Sequence, residues 1–360
     1  MDETDPERAT VRVPALPDRP ALLPAELERA VSDDEYRLLE GQALSAEELY
    51  FSERARAENT RRAYRSDLAD FAGWCAVEAR VPLPAEAATV SAYLVYLAGH
   101  GAKVPTMSRR LSSIAYAHRF AGVTNPVESP RVQAVWEGIR RERAQPTDQA
   151  PALMPPVLWD VLSALPNDVS GVRDRAVLLV GFVGAFRRSE LAAMEVDHMA
   201  PHPKGLVISI PRSKTDPYGK GQLVVLPYSS RPERCPVISL RPWLDAAGVG
   251  RLGTDEDSGS GGHVFRPVHR NGTTVASRGM SEAAINDAVQ RACRRALGTD
   301  GLAYSAHSLR AGFATYASQR GAPDRAIAHQ TRHRSLASLD QYIRMESVWV
   351  DNAATALDLK

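Results

Sequence analysis

The sequence is poor in cysteine, with three in 360 residues, at positions 75, 235 and 293. Their wide separation gives no zinc-binding spacing and fits a reducing environment, so we expect a cytoplasmic protein without a bound metal. No apolar run reaches the length of a membrane span, and the acidic start Met1-Asp2-Glu3 is unlike a signal peptide. We therefore expect no association with a membrane.

Net charge is also nearly absent, at +1, but the charges are unevenly distributed. Residues 1–49 hold 13 acidic and 5 basic side chains, a net of −8, whereas residues 50–145 hold 14 basic and 9 acidic, a net of +5. The remainder of the chain is then +4. Basic modules of this kind can bind phosphate backbones, although a surplus of this size is equally ordinary in proteins without such a partner.

Lysine is scarce, with 5 among 44 basic residues, at positions 103, 204, 214, 220 and 360. The chain therefore uses arginine wherever a positive charge alone is needed. A lysine inside a motif is more informative here than in an average protein.

The apolar pattern predicts a helical first domain between an extension and a linker. Residues 1–44 form an acidic, partly disordered N-terminal extension, with one short helix over about residues 25–41. Residues 45–143 predict a helical bundle, with one helix from Thr60 and another starting at Thr106. Residues 144–152 are polar and contain proline, which is typical of a linker.

Residues 153–345 predict a second domain that mixes helices with a small sheet. Helices are expected at about 155–165 and 171–185, and the β-branched runs 206–210 and 223–226 predict a hairpin with a long loop. Helices dominate from Ser281 to the end. The predicted fold class is therefore mainly α with a small β-sheet.

Four segments hold side chains that suit one chemistry. They are residues 184–191 (GAFRRSEL), residues 213–215 (SKT), residues 307–310 (HSLR), and His333 followed nine residues later by Tyr342. Each also has an ordinary structural explanation when taken singly. Arg187 can form a structural pair with Glu190, and Lys214 can be a solvated loop residue. The pair His307 and Arg310 can begin a helix, and Tyr342 can simply pack.

Together the four segments fit cleavage of a phosphodiester without metal or ATP. That reaction needs a nucleophile, an acid for the leaving oxygen and fixed positive charge on the phosphate oxygens. Arginine suits the clamp because its planar fork binds phosphate bidentately, and lysine suits the acid because a desolvated ammonium gives up a proton. A tyrosine hydroxyl, with a pKa of about 10, needs a neighbouring base such as histidine in order to attack.

In this chain order, the segments resemble those of the tyrosine recombinase (phage integrase) family. Residues 187–191 resemble the family's Arg-x-Ser-Glu-Leu segment, residues 213–215 its hairpin lysine, and residues 307–310 its second arginine box. The helical segments in residues 59–122 and the end of the nucleophile motif, residues 342–344, resemble Cre-type and Xer-type enzymes. The resemblance covers about residues 45–358.

The resemblance implies a role for each residue of the set. Arg187 and Arg310 would hold the scissile phosphate, Lys214 would protonate the leaving 5′ hydroxyl, and Tyr342 would form a 3′-phosphotyrosine link. His307 would act as acid and base, His333 would contact the phosphate or orient the site, and Glu190 would orient Arg187 or His307. The covalent link stores the bond energy, so no cofactor is implied.

Two features depart from the family pattern or invite another interpretation. Arg332 stands before His333 at a position where the family usually has glycine, which can alter the local turn. His329 and His333 are four residues apart on a predicted helix, the spacing of a metal-binding pair. No third ligand is evident, so we expect no metal site.

The resemblance also implies double-stranded DNA as the partner and a homotetramer on two short inverted-repeat core sites. Residues 45–143 would be the core-binding domain, residues 153–345 the catalytic domain, and residues 346–360 a C-terminal helix that docks on a neighbouring protomer. The acidic leader is a poor phosphate binder, so a simple Cre-like or Xer-like recombinase is expected. Candidate DNA contacts, each of which can equally be a solvated surface arginine, are Arg61, Arg62, Arg65, Arg109, Arg110, Arg140, Arg141 and Arg143.

Two other functions share this fold or chemistry. A type IB topoisomerase-like enzyme would relax DNA without exchanging strands, and a regulator built on the fold would bind DNA without cutting it. The tail and the core-binding segments disfavour the first, and the filled catalytic positions disfavour the second.

Overall fold

The structure, a computed structural model, describes residues 58–143, 150–211, 221–249 and 262–333, with short backbone stretches at 38–39 and 42–43. The chain divides into two compact units, Met1–Thr147 and Asp148–Lys360. Among the described residues, no helix has the length and apolar character needed to cross a membrane.

The first unit is a helical bundle. Two short strands, β1 (Leu38–Leu39) and β2 (Gln42–Ala43), pair antiparallel. The helices are α1 (Glu58–Val77), α2 (Ala87–Gly99), α3 (Val104–Phe120) and α4 (Pro130–Glu142), with a 3₁₀ turn at Pro126–Glu128. The helix predicted over residues 25–41 is wrong at Leu38–Leu39, where the backbone is extended and paired.

The core of this unit follows from the apolar stripe of each helix. Phe71 and Cys75 of α1 are fully buried, as are Tyr93 of α2 and Ile114 of α3. Burying one such aromatic or aliphatic side chain contributes roughly 1.5–3 kcal/mol. The third helix begins at Val104 rather than at the predicted Thr106, because a proline fits the first turn of a helix, where its missing N–H is not needed.

The second unit contains seven helices among its described residues and one three-stranded sheet. The helices are α5 (Pro155–Ser163), α6 (Val169–Val183), α7 (Arg188–Ala192), α8 (Pro236–Ala247), α9 (Glu282–Leu297), α10 (Ala306–Gln319) and α11 (Asp324–Thr331). Short 3₁₀ turns lie at Val196–His198, Pro232–Arg234 and Gly298–Ala303. The predicted fold class, mainly α with a small sheet, is confirmed.

The sheet has strand order β3-β4-β5 and is antiparallel throughout. Its strands are β3 (Met199–His202), β4 (Gly205–Ile210) and β5 (Gln222–Pro227). The last two are the predicted hairpin, whose loop around Lys214 lies outside the described residues. Strand β3 was not predicted, because only Met199 of its residues is buried and no alternating pattern marks it.

Helix α6 is the centre of the second unit. Every residue from Ala176 to Phe182 is buried, as expected of a helix covered on all sides. Helix α10 packs closely in the same unit, and a Cβ atom added at Gly312 would lie 2.2 Å from the carbonyl oxygen of Leu153. These two helices carry or precede most of the described site residues.

Candidate active site

The chain leaves α6 through a tight turn and enters the short helix α7 at Arg187. Ala185 has a positive φ of 46°, and the buried ring of Phe186 follows it. Arg187 is the N-cap residue of α7, and its backbone N–H donates to Glu190 Oε2 at 2.9 Å. A glutamate three residues after the cap commonly satisfies this exposed donor. The turn therefore fixes the positions of Arg187 and Glu190 relative to each other.

The same two side chains form an ion pair. Nη1 of Arg187 donates to Glu190 Oε1 at 2.6 Å, with side-chain exposures of 19% and 3%. Burial alone would raise the pKa of Glu190, but the guanidinium groups of Arg332 and Arg187, with the backbone N–H, outweigh burial and lower the pKa. Glu190 is therefore a carboxylate at neutral pH.

Arg310 approaches the turn from α10. It is 2% exposed, and its Nη1 donates to the carbonyl oxygen of Ala185 at 2.8 Å. Burying a guanidinium is costly unless its donors are satisfied, so this carbonyl both compensates Arg310 and fixes its direction. The predicted arginine pair thus meets at one turn of the backbone.

His307 lies on the first turn of α10, one turn before Arg310. The residue is exposed to solvent at its surface. Protein atoms packed around the ring nevertheless desolvate it and lower its pKa, and the charges of Arg310, Arg187 and Arg188 lower the pKa further. The imidazole is therefore biased towards its neutral form by desolvation and by neighbouring positive charge. An anion bound beside these arginines would weaken the part of that bias that comes from charge.

His333 follows α11 directly, and it is half-buried. Its pKa is lowered to about 4 by desolvation and by the charges of Arg310, Arg187, His307 and Arg332. Nδ1 lies 2.8 Å from Thr331 Oγ1, whose one proton is donated to the Ile327 carbonyl at 2.6 Å. Nδ1 of His333 must then be the donor, so Nε2 carries the lone pair in the neutral ring.

Lys214 and Tyr342, predicted as acid and nucleophile, lie outside the described residues. The other five predicted residues come together from three parts of the chain. The charges of Arg187 and Arg310 act on both histidines, and Glu190 binds Arg187 directly. The structural alternative for Arg187, a pair with Glu190, is also observed, so that pair coexists with the cluster.

Arg332 also belongs to this cluster, which was not predicted from the sequence; only its place at a position where glycine is usual was apparent. Arg332 ends α11 in the left-handed region, at φ 57° and ψ 43°. Its buried Nη2 donates to Glu190 Oε2 at 2.7 Å. Gln330 was missed as well, and its side-chain amide donates to the carbonyls of Val183 and Val225. The one sequence signal was an arginine at a turn position.

The histidine pair considered for metal binding does not share a helix. Helix α11 ends at Thr331, so His329 lies in its last turn and His333 lies beyond it. Across the described residues, no group of three or more histidine, cysteine, aspartate or glutamate side chains is arranged to hold a metal ion.

The candidate DNA contacts of the first unit differ in how far they are engaged within the protein. Arg110 donates to both carboxylate oxygens of Asp70 and to the Tyr93 hydroxyl, at 2.5, 3.0 and 2.8 Å, and its side chain is 19% exposed. Arg109 is 44% exposed and pairs with the buried Asp67 at 3.0 Å. Arg110 is thus placed as a structural residue.

The remaining candidates differ in exposure. Arg140 and Arg141 of α4 share Glu137, with side chains 56% and 80% exposed. Arg62 is exposed, whereas three other arginines are half-buried: Arg61, Arg65 and Arg143.

Two family models match the chain, one in each part. The model of the phage integrase family matches residues 157–347, and that of the phage integrase N-terminal SAM-like domain matches residues 47–122. An integrase/recombinase XerD homologue of Selenomonas ruminantium is 34% identical over 307 residues, covering 84% of this chain and 86% of that protein. The Cre recombinase of Escherichia phage P1 is 26% identical over 283 residues, covering 74% and 78%.

Solved structures share the fold. A XerH site-specific recombinase bound to palindromic difH substrate, in a post-cleavage complex, matches with a TM-score of 0.56 and 16% identity, covering 92% of this chain and 86% of that one. A lambda integrase dimer bound to a COC′ core site matches with a TM-score of 0.53 and 14% identity, covering 81% and 73%. The family resemblance read from the sequence is confirmed. The chain belongs to the phage integrase family, and it is accordingly a tyrosine recombinase, an enzyme of site-specific DNA recombination.

Proposed function

We propose that this enzyme, in the cytoplasm, cuts and rejoins double-stranded DNA at short core sites through a 3′-phosphotyrosine intermediate. The observation that carries the proposal is the cluster of Arg187, Arg310, His307 and His333. Desolvation lowers the pKa of both histidines, and the charges of two arginines from distant parts of the chain lower it further. A cluster with this surplus of positive charge is suited to an anion, and a DNA phosphate is the anion that such a recombinase cleaves.

The reaction assigns a task to each member of the set. The Tyr342 oxygen attacks phosphorus, forming the 3′-phosphotyrosine bond while the bond to the 5′ oxygen breaks. Lys214 gives its proton to that leaving oxygen, and His307 takes the proton of the tyrosine hydroxyl. Rejoining is the same step in reverse, with the 5′ hydroxyl of the new strand as nucleophile.

The remaining groups stabilise charge. Arg187 and Arg310 bind the non-bridging oxygens, which carry the negative charge in the transition state. His333, whose Nδ1 lies against Thr331 Oγ1, would orient the phosphate or the tyrosine. Glu190 orients Arg187. Because the protein–DNA bond conserves the energy of the phosphodiester, this scheme uses neither a metal ion nor ATP.

The proposed assembly is a homotetramer on two inverted-repeat core sites. Residues 45–143 and 153–345 would bind the core as separate domains joined by residues 144–152, and residues 346–360 would dock on a neighbouring protomer. The apolar composition of that tail supports the docking. Truncation after Met345 should then impair pairing of two sites more than binding of one, and equal impairment would argue against docking between protomers.

A plasmid assay tests the proposed function. Duplexes that bind the full-length protein are selected from DNA flanking its gene, and the bound site is cloned twice into one plasmid. We expect products in which the DNA between the two sites is deleted or inverted, and no relaxation of a supercoiled plasmid without a site. Relaxation of the site-free plasmid with no recombinant products would instead identify a topoisomerase-like enzyme.

A further inference from the structure

Arg332 has a backbone conformation that arginine rarely adopts. With φ at 57° and ψ at 43°, it lies in the left-handed region, where a Cβ atom crowds the following carbonyl and glycine is the usual occupant. The turn itself needs no side chain at this position. An arginine here therefore requires a compensating interaction of its side chain.

The side chain supplies that compensation. It is 2% exposed, and its two terminal nitrogens make four hydrogen bonds. Nη1 donates to the carbonyl oxygens of Gly184 and Gln330, at 3.0 and 2.7 Å. Nη2 donates to the Ala185 carbonyl at 2.9 Å and to Glu190 Oε2 at 2.7 Å. The guanidinium also lies over the Phe186 ring, 5.1 Å from its centroid.

These contacts connect Arg332 to the proposed phosphate clamp at three points. Glu190 Oε2 receives Arg332, while Glu190 Oε1 receives Arg187. The carbonyl oxygen of Arg332 in turn accepts from Arg187 Nη2 at 3.2 Å, which closes the ring. The Ala185 carbonyl that holds Arg310 is the same oxygen that Arg332 binds.

The charges of the ring also matter. One carboxylate, Glu190, is shared between two guanidinium groups, so it neutralises Arg187 only in part. Without Arg332, Glu190 would pair with Arg187 alone. The net positive charge of the cluster would then be smaller, and an anion would be attracted less strongly.

We propose that Arg332 is a positioning residue for the recombination reaction. It holds Glu190 and the Ala185 carbonyl, so that Arg187 and Arg310 keep their direction and Glu190 neutralises Arg187 only in part. It touches neither DNA nor the nucleophile in this scheme. The inference rests on the proposed function, since it concerns how that site is built.

Arg332→Gly tests the inference, because glycine fits the left-handed turn and the substitution removes the whole arginine side chain with its guanidinium. Cleavage is measured in a single turnover on a nicked core duplex at saturating protein, beside the Kd for the same duplex. We expect a Kd within about twofold of the parent and cleavage slower by roughly tenfold to a hundredfold, as when a group that orients a catalytic ligand is removed. Guanidinium at millimolar concentration should restore part of the rate.

Two further variants complete the comparison. Arg332→Lys keeps the charge but loses the fork, so we expect a cleavage rate between those of Arg332→Gly and the parent. Arg320→Gly makes the same exchange at the exposed C-cap of α10 and should leave cleavage unchanged. Cleavage by Arg332→Gly at the parent rate would overturn the inference. If Arg332→Gly does not fold, Arg332→Lys decides, and an unchanged rate there is equally contradictory.

A DNA-free measurement separates this inference from the proposed function. Desolvation is the largest cause of the lowered pKa of His333, and the charge of Arg332 is a smaller one, so loss of Arg332 should raise that pKa in an NMR titration, whereas Arg320→Gly should not. If the parent never cleaves DNA, the proposed function fails, and the titration still decides whether Arg332 shapes this cluster. An unchanged His333 titration would contradict the inference.

Discussion

Arg310 and Arg332 donate to the same atom, the carbonyl oxygen of Ala185, at 2.8 and 2.9 Å. Ala185 itself has a positive φ of 46°, in the left-handed region. A single backbone oxygen thus fixes two guanidinium groups that lie 125 and 147 residues further along the chain. The clamp is built from backbone as much as from side chains.

Loss of one clamp arginine should stop cleavage without stopping binding. For Arg310→Ala we expect cleavage slower by roughly a hundredfold to a thousandfold, because preorganised donors to a charged transition state are worth that much. Gel-shift affinity for a core duplex should change far less, since contacts to the DNA backbone in such complexes are numerous. Arg320→Ala, at an exposed helix end, is the matched control. A parallel loss of binding and cleavage would assign Arg310 to binding alone.

Helix α10 should tolerate no Cβ atom at Gly312. The Cβ of Gly312→Ala would lie 2.2 Å from the Leu153 carbonyl, so the helix that carries His307 and Arg310 would have to move. We expect a loss of roughly 1–3 kcal/mol in the free energy of unfolding, together with slower cleavage. Gly138→Ala in α4 meets nothing within 4 Å, and it should be neutral or slightly stabilising. Equal urea midpoints for the two variants would contradict the packing argument.

Substitution of Arg110 should lower stability, whereas substitution of Arg140 should affect DNA binding alone. Arg110→Gln breaks the partly buried contacts to Asp70 and Tyr93, and we expect a loss of roughly 1–3 kcal/mol in unfolding free energy. Arg140→Gln changes an exposed side chain, and stability should stay within about 0.5 kcal/mol. If Arg140 contacts a phosphate, its loss should lower the salt dependence of DNA binding by about one unit of slope. The opposite assignment of the two effects would contradict these placements.

The pH dependence of stability should show the lowered pKa of His333. Its pKa is about 4 in the folded protein and about 6.5 when unfolded, so the folded state favours the neutral ring. The corresponding stability is present above pH 6.5 and is lost as pH falls towards 4. We therefore expect His333→Gln to lose less unfolding free energy than the parent between pH 7.5 and pH 5. His329→Gln, an exposed residue of α11, should follow the parent.

Local patterns predicted much of the fold. The apolar pattern predicted a helix from Thr60, which is α1, and two β-branched runs predicted β4 and β5. Strand β3 could not be predicted, because its exposed residues owe their conformation to pairing with β4 rather than to their own pattern.

Only those site residues could be predicted whose type is required by the proposed phosphate chemistry. Arginine, histidine and glutamate in the right order indicated a phosphate site before any geometry was known. Arg332 carried no such signal, because its role depends on acceptors at Gly184, Ala185 and Glu190, more than 140 residues away in sequence. A turn position occupied by arginine instead of glycine was the one visible clue.

The proposed reaction depends on Tyr342 as the nucleophile, and a covalent protein–DNA adduct identifies the attacking residue. The full-length protein is incubated with a nicked core duplex, and the denatured protein–DNA product is digested and sequenced by mass spectrometry. We expect a phosphotyrosine bond from Tyr342 to a 3′ DNA end, abolished in Tyr342→Phe and retained in Tyr228→Phe, which changes an exposed tyrosine. An adduct that persists in Tyr342→Phe, or one that carries the 5′ end, would contradict it.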